Sequence, residues 1–393
     1  MRTCALAGIA VLFLASSALA SPAPGVTDDE VVLGISAPLS GPAAAWGSIS
    51  LAAETWARHV NAAGGVHGRK LRVVVKDDAY NPGQAVANVN EMKDSVFALV
   101  CLLGTAVLNA NKETVAESGI PTVWPLGNPQ VFAALPREKL RPVFMAYPDY
   151  IDEAQFLVAQ AKKLEGAKRI AVFFQNDDYG KAGLEGARRG AKAAGMKLAA
   201  EVPYEVADRE LGTQALKLKE SEADTVLLYS TATHGAAIVK EMAKVGFRPR
   251  LFASFTLGDR SVMYRLLGDL WEGAYFDVNQ TPPGEPEADR VIGVLLKEEP
   301  KLKGRESFAL IGATAMAVTV EGLKRTGRDL SREKFISALE SIKDYRPENL
   351  TAPINWSPAR RHGLNTVRLM RAKKAADGSF TAVTGWQTFP AHF

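Results

Sequence analysis

Few side chains in this chain could carry covalent or acid–base chemistry, and those few are scattered. Five histidines, His59, His67, His234, His362 and His392, show no spacing that would bring two imidazoles to one metal ion. Asp77 and Asp78 are neighbouring carboxylates at the end of an apolar run, where capping a helix or fastening a loop is the ordinary use. No G-x-S-x-G elbow presents a serine nucleophile. The first strand-to-helix turn offers Gly34 and Gly41 in place of the G-x-G-x-x-G that lets backbone approach a pyrophosphate. Cys101 lies within FALVCLL, the setting of a buried structural thiol. No catalytic residue, metal ligand or cofactor is therefore expected, and the chain does not read as an enzyme.

A different chemistry suits the residues that remain. Six short segments combine aromatic rings with hydroxyls, glycines and free amides, as small-molecule sites do. They are SGPAAAWG (40–47), LLGTAVLN (102–109), WPLGNPQ (124–130), QNDDYGKAG (175–183), STATHG (230–235) and SFTLGD (254–259). In the first, Ser40-Gly41-Pro42 turns the chain and Trp46 then stands at the mouth of a helix. A tryptophan there is either a plug for the core or a wall for a bound molecule.

Such segments act together only if regular elements hold them at one end of a sheet. Strand-like runs at 31–37, 71–77, 97–103 and 121–124 alternate with helical periodicity at 47–63, 82–95 and 108–118, the pattern of a parallel sheet covered on both faces. Ile49, Ala52, Ala53, Trp56 and Val60 fall on one face of the first helix. The same order of strand, polar loop with an aromatic, helix and strand returns over 168–202, with Leu184, Ala187, Ala191 and Ala194 as the buried stripe. Strands at 224–230 and 250–255 enclose a helix at 234–245; helices near 288–297, 307–326 and 331–341 follow, then strands near 366–371 and 380–384.

The fold class is α/β, with two doubly wound Rossmann-like lobes. Length agrees, since 393 residues exceed the ~250–300 at which a single core stops growing. If the helices after 288 rejoin the first lobe, that lobe is 26–145 plus 277–345, the second is 146–276 plus 346–393, and the chain crosses between them three times. Three parallel crossings make a hinge. Open α/β sheets bind ligands at the carboxyl ends of their strands. The six segments fall there, three from each lobe, facing one another across a cleft.

A formal charge of +4 without a run of five or six basic residues gives no reason for a nucleic-acid partner. Arg2, the apolar stretch from Ala5 to Leu14 and the small residues ending in Ala18-x-Ala20 read as a cleavable secretory signal over 1–20, too short to span a bilayer. The mature chain is expected to begin near Ser21 and to reside in the periplasm.

The motifs ISAPLSGPAAAWG, HVNAAGGVHGRKLRVVVKDDAYNPGQAVANVNEM, ESGIPTVWPLGNPQV, QNDDYGKAG and TAPINWSP occur in an order that resembles the type I periplasmic solute-binding proteins of the branched-chain amino acid (Leu/Ile/Val-binding) group. The likeness covers essentially the whole mature chain. It implies lobes that close on a small-molecule ligand, the membrane permease subunits of an ABC importer as partner, and a monomer.

By the same resemblance Trp46 lines the cleft, and Thr105 with Gly104 and Ala106 holds a ligand carboxylate, although a threonine there also suits a plain N-cap. Leu126, Gly127 and Asn128 correspond to backbone contacts, and Tyr179 to an aromatic near the ligand. Where amino-acid binders place a carboxylate for the ligand ammonium, this chain carries Phe255. A buried ammonium without a counter-charge is costly, so an aromatic or aliphatic acid lacking an amine is favoured. Thr231, Phe255 and Phe308 complete the expected site. The alternatives are a branched-chain or other amino acid as ligand, or a sensor or receptor module of the same fold.

Overall fold

A computed structural model describes residues 23–373 and 381–393. The expected signal at 1–20 lies outside the described residues. The first sheet is built from β1 (Glu30–Ala37), β2 (Lys70–Asp77), β3 (Ala98–Val100), β4 (Thr122–Val123) and β5 (Val143–Phe144) in the order β2-β1-β3-β4-β5. All its pairings are parallel. The connections carry α1 (Gly47–Ala62), α2 (Pro82–Met92), α3 (Thr105–Ser118) and the single turn α4 (Gln130–Ala133). On α1, Ile49, Ala52, Ala53 and Trp56 are buried as their spacing predicts.

The chain then crosses to α5 (Tyr150–Glu165), a helix the sequence reading passed over, and builds the second sheet. Its elements are β6 (Ile170–Gln175), α6 (Asp178–Ala193), β7 (Ala200–Tyr204), α7 (Gly212–Glu220), β8 (Thr225–Tyr229), α8 (Ala232–Lys244), β9 (Arg250–Ala253), α9 (Arg260–Leu267) and β10 (Tyr275–Val278). After β10 the chain returns to the first lobe as α10 (Pro286–Glu298), α11 (Glu306–Thr326) and α12 (Arg332–Glu340). It ends on the second sheet with β11 (Thr366–Arg371), β12 (Thr381–Ala382) and β13 (Gln387–Thr388). The strand order is β12-β11-β10-β9-β8-β6-β7, with β11 antiparallel to β10 and β13 beside β11.

Glycine decides how closely each lobe's helices pack. A Cβ on Gly312 of α11 would lie 2.0 Å from the Ile49 carbonyl of α1, and one on Gly186 of α6 would lie 2.4 Å from the Ile151 carbonyl of α5. Only glycine lets the helix axes approach that far. Helix α11 is long and apolar enough to cross a membrane by composition, yet most of it is buried inside the protein as the first lobe's central helix.

Two of the expected lobe edges shift. Residues 277–278 belong to β10, and therefore to the second sheet. The last crossing comes near 363 rather than after 345. Trp356 packs edge-on to Phe144 and donates Nε1–H to the Met145 carbonyl at 2.9 Å, which keeps this segment with the first sheet.

The C-terminal residues then clasp the crossings. The amides of Arg361 and His362 both donate to the Phe393 carbonyl at 2.9 Å. The His392 ring stacks on His362 and reaches the Asp152 carboxylate at 3.0 Å. Burial holds the His362 imidazole neutral, down to about 4, while the Asp152 hydrogen bond raises His392.

Candidate functional site

The loops at the carboxyl ends of the strands meet across an interlobe cavity with about 410 Å³ of free space, part of it open to solvent. Fourteen residues line it, and none carries a charge.

The opening loop is held by the acidic pair. Asp77 accepts hydrogen bonds from the Leu39 amide (2.9 Å), the Ser40 hydroxyl (2.6 Å) and the Ala79 amide (2.8 Å). Asp78, fully buried, accepts from the Ser36 hydroxyl (2.7 Å) and the Tyr80 amide (2.9 Å). Burial raises the Asp78 carboxyl to about 6. The pair thus fastens a loop, as adjacent carboxylates at a strand end commonly do. It also forces Ala79 and Tyr80 into the left-handed region, at φ 49° and 62°. Tyr80 in that conformation enters the cavity wall and meets Trp46 edge-to-face, with 5.5 Å between ring centres.

Opposite these rings stands the start of α3. Gly104, the residue before the helix, has φ 113°, and a Cβ on it would lie 2.8 Å from the Tyr80 ring. No side chain caps this helix. The first helical bond runs from the Leu108 amide to the Gly104 carbonyl, so the amides of Thr105, Ala106 and Val107 have no intrahelical acceptor. The Thr105 hydroxyl oxygen accepts from the Asn128 amide at 3.1 Å, which leaves its proton to donate. Free amides at a helix start, favoured by the helix dipole, suit an anion.

The second lobe supplies an aromatic wall. The Phe255 ring stacks on Tyr150 at 5.5 Å and meets Tyr147 edge-on at 5.0 Å, and Tyr150 lies 4.8 Å from Tyr179. The Tyr179 hydroxyl is 2.6 Å from the Thr256 hydroxyl. Behind Phe255 lies a feature the sequence reading missed, the buried pair Glu153 and Asp277. Glu153 accepts from the Phe255 amide at 2.9 Å and from the Tyr229 hydroxyl at 3.0 Å, and so fixes where the Phe255 ring begins. Neither Asp277 oxygen finds a well-formed hydrogen bond among the described residues. Burial, reinforced for Asp277 by the neighbouring Glu153 charge, pushes both carboxyls far up. Both carboxyls are thereby held towards the protonated form.

Among the described residues, four of the hydrogen bonds that join the lobes lie around the cavity. The Trp46 indole N–H donates to the Thr256 carbonyl (3.2 Å) and the Thr233 hydroxyl to the Pro42 carbonyl (3.1 Å). The Asn109 amide donates to Asp178 (2.9 Å) and the Phe308 backbone N–H to Asp259 (3.2 Å). Asp259 also caps α9 through the Val262 amide, and burial raises it to about 6. Asp178 and Asp259, the carboxylates nearest in sequence to the site segments, are thereby engaged outside the lining.

Of the expected site residues, Trp46, Gly104, Thr105, Leu126, Tyr179, Phe255 and Phe308 line the cavity. Ala106, Gly127, Asn128 and Thr231 do not. Asn128 supports Thr105 from behind, and Gly127 leaves room for Leu108 and the Thr105 backbone. Thr231 caps α8 and bonds to His234 and the Tyr204 hydroxyl, away from the cleft. The sequence reading missed Tyr80, Tyr147, Tyr150 and Thr256. The two crossing tyrosines had a visible signal, in that YPDY (147–150) sits where the chain leaves the first sheet.

The histidine spacing had pointed to no metal ligation, yet folding brings His392 beside Asp149 and Asp152, with ligand atoms within 4.8 Å of one another. Asp149 already caps α5 and accepts from Gln130, and Asp152 accepts from Asn365 and His392. The group is the clasp of the hinge.

Trp46 is only 6% exposed, so wall and plug readings meet in one residue. Trp46→Ala is expected to weaken ligand binding at least tenfold, because it removes both a wall and an interlobe hydrogen bond. The loss of folding stability should stay below ~3 kcal/mol; a larger loss, the range for a truncated core aromatic, would mark it as a plug. Titration calorimetry and denaturant unfolding of the variant separate the two.

The profile of a family described as periplasmic binding protein matches residues 30–378. Leu/Ile/Val-binding protein homolog 3 from Brucella melitensis is 24% identical over 323 residues, 81% of this chain and 84% of that protein. Among solved structures, a fatty acid ABC transporter substrate-binding protein from Thermomonospora curvata superposes with a TM-score of 0.82 at 23% identity, over 93% of this chain and 94% of that one. A branched-chain amino acid ABC transporter from Thermus thermophilus with bound valine also superposes at 0.82, with 19% identity over 92% and 97% of the two chains. These likenesses extend over both lobes and the crossings between them. With a family profile running from β1 past β11 and a cleft walled by both lobes, the chain belongs to the periplasmic binding proteins.

Proposed function

We propose that this chain is the periplasmic substrate-binding component of an ABC importer, and that it captures a small acid with an aromatic or aliphatic body. The carboxylate would sit against the amides of α3 and the Thr105 hydroxyl, and the body between Trp46, Tyr80, Tyr179 and Phe255. The observation that carries the reading is the lining: free amide donors at one end, rings around the rest, and no charged side chain. An ammonium group placed there would lose water and find no counter-charge, at a cost of several kcal/mol. Closure around the ligand would present both lobes to the permease subunits.

The amino-acid reading has its own support, since relatives are named for leucine, isoleucine and valine and one superposing structure holds valine. A thermal-shift panel of the mature protein decides between them. A native-state ligand at a hundred times its Kd adds about 2.7 kcal/mol to stability, a shift of several degrees. Hexanoate, benzoate or phenylpropanoate is expected to raise Tm by that amount and leucine, isoleucine and valine to leave it nearly unchanged. The reverse result would replace the acid by an amino acid.

A further inference from the structure

We propose that the cleft continues past Phe255 and Phe308 into a second chamber that receives the end of the ligand remote from its carboxylate, and that the Asn279 carboxamide reads a hydroxyl group there. The inference rests on the reading of the first chamber as an acid site. Phe255, Phe308 and Ile311 line both chambers, so these side chains stand between the two spaces. The second holds about 310 Å³ of free space, part of it open to solvent, and is floored by the crossing segment Asn279, Gln280 and Thr281.

The polar groups on that floor are not equivalent. Gln280 is satisfied at both ends, donating to the Ser307 carbonyl at 3.3 Å and accepting from the Thr314 hydroxyl at 3.2 Å. It ties the start of α11, and with it Phe308, to the crossing. Asn279 is only 6% exposed, lines the chamber, and its carboxamide has no hydrogen-bond partner among the described residues. Its amide atoms are not sealed from solvent, so they stay open to a partner in the chamber, and a carboxamide offers both a donor and an acceptor. A ligand hydroxyl, donor and acceptor at once, would satisfy it.

The ligand class that follows is an acid whose apolar middle threads between Phe255 and Phe308 and whose far end carries a hydroxyl, such as an ω-hydroxyalkanoate or a hydroxyaryl-alkanoate. A short branched side chain would stop at the two rings.

Calorimetric titration with matched pairs tests this: octanoate and its ω-hydroxy derivative, phenylpropanoate and its para-hydroxy derivative. In the native protein the hydroxylated member of at least one pair is expected to bind about tenfold more tightly than its parent, one well-made hydrogen bond. In Asn279→Leu and Asn279→Ala the ratio should fall to about one, with the parent acid within about threefold of its native affinity. Acids that bind with no preference for the hydroxyl, or a preference unchanged in both variants, would overturn the second chamber and leave the acid site standing. Failure of all four compounds to bind would overturn both.

Discussion

Phe255→Glu is expected to lower the affinity for an apolar acid at least a hundredfold. The Phe255 amide is pinned by Glu153, and its ring is held between Tyr147 and Tyr150, so a side chain at this position has little choice but to project into the cleft. The new carboxylate would share an enclosed, ring-lined space with the ligand anion and would stand beside two buried carboxyls. Across the cavity, at about 8 Å and an effective dielectric of about 20, two like charges repel by about 2 kcal/mol, and an unpaired carboxylate set against the apolar body of the ligand adds its desolvation, together more than a hundredfold in Kd. Phe255→Leu supplies the control, since it keeps the wall apolar and should cost about tenfold or less. Weak binding of leucine or valine, which the acid reading does not expect of the native protein, should appear in Phe255→Glu as the ammonium gains a partner. Equal acid affinity in the native protein and Phe255→Glu would show that Phe255 does not wall the bound ligand.

The second large effect is on stability and concerns Glu153 and Asp277. Both carboxyls have folded-state pKa values raised above their unfolded values, Glu153 to about 7 and Asp277 well above the ordinary range, through burial and, for Asp277, the charge on Glu153. The folded chain therefore holds more protons than the unfolded chain from about pH 4 upwards, and the pair's contribution falls as pH rises through about 7. The native protein is expected to lose stability between pH 5 and pH 8 through these two groups, by ~2 kcal/mol or more.

Asp277→Asn keeps the shape and offers Glu153 a neutral N–H donor. It should match the native protein near pH 5, exceed it in Tm at pH 8 and show a flatter profile. Differential scanning calorimetry of both proteins across that range isolates the pair from Asp78 and Asp259, whose raised values contribute the same sign to each profile. Parallel profiles would mean that Asp277 does not contribute to the pH dependence. Glu153→Leu, which strands the Phe255 amide and the Tyr229 hydroxyl, should be destabilised at every pH.

How much of this could be read from the residues follows from the range of the interactions involved. The β-α alternation of both lobes was legible because apolar periodicity and Gly, Pro and Asn punctuation act within a few residues. Thus α1, α3, α8 and α11 lie within three residues of their expected ends. The 3.6-residue pattern of α5 went unread because it begins inside the first crossing, where Tyr147, Tyr150 and Glu153 serve the cleft and the hinge instead of a plain core face.

The cavity wall was legible where a loop directly follows a strand, as at Trp46, Thr105 and Tyr179. Tyr80 escaped notice since it enters the site through a left-handed backbone, and Asp277 because its partner lies far away along the chain. Thr231 misled for the converse reason, as a loop hydroxyl at a helix start whose partners, the α8 cap and the His234 ring, lie within three residues of it. Closeness in space between distant segments is the information that pattern alone does not carry.

The four interlobe hydrogen bonds around the cavity bear on time as well as on affinity. A molecule in the cavity is walled by both lobes, and the Trp46, Thr233, Asn109 and Phe308 links hold those walls together. Its residence time then depends on how often those links break together, and only in part on how well it is gripped. Weakening a link at the rim, such as Asn109 with Asp178, would shorten that dwell without touching the walls. A docking partner that grasps each lobe separately and prises them apart would hasten unloading in the same way, so the delay before release is a property of the hinge and rim that such a partner could control.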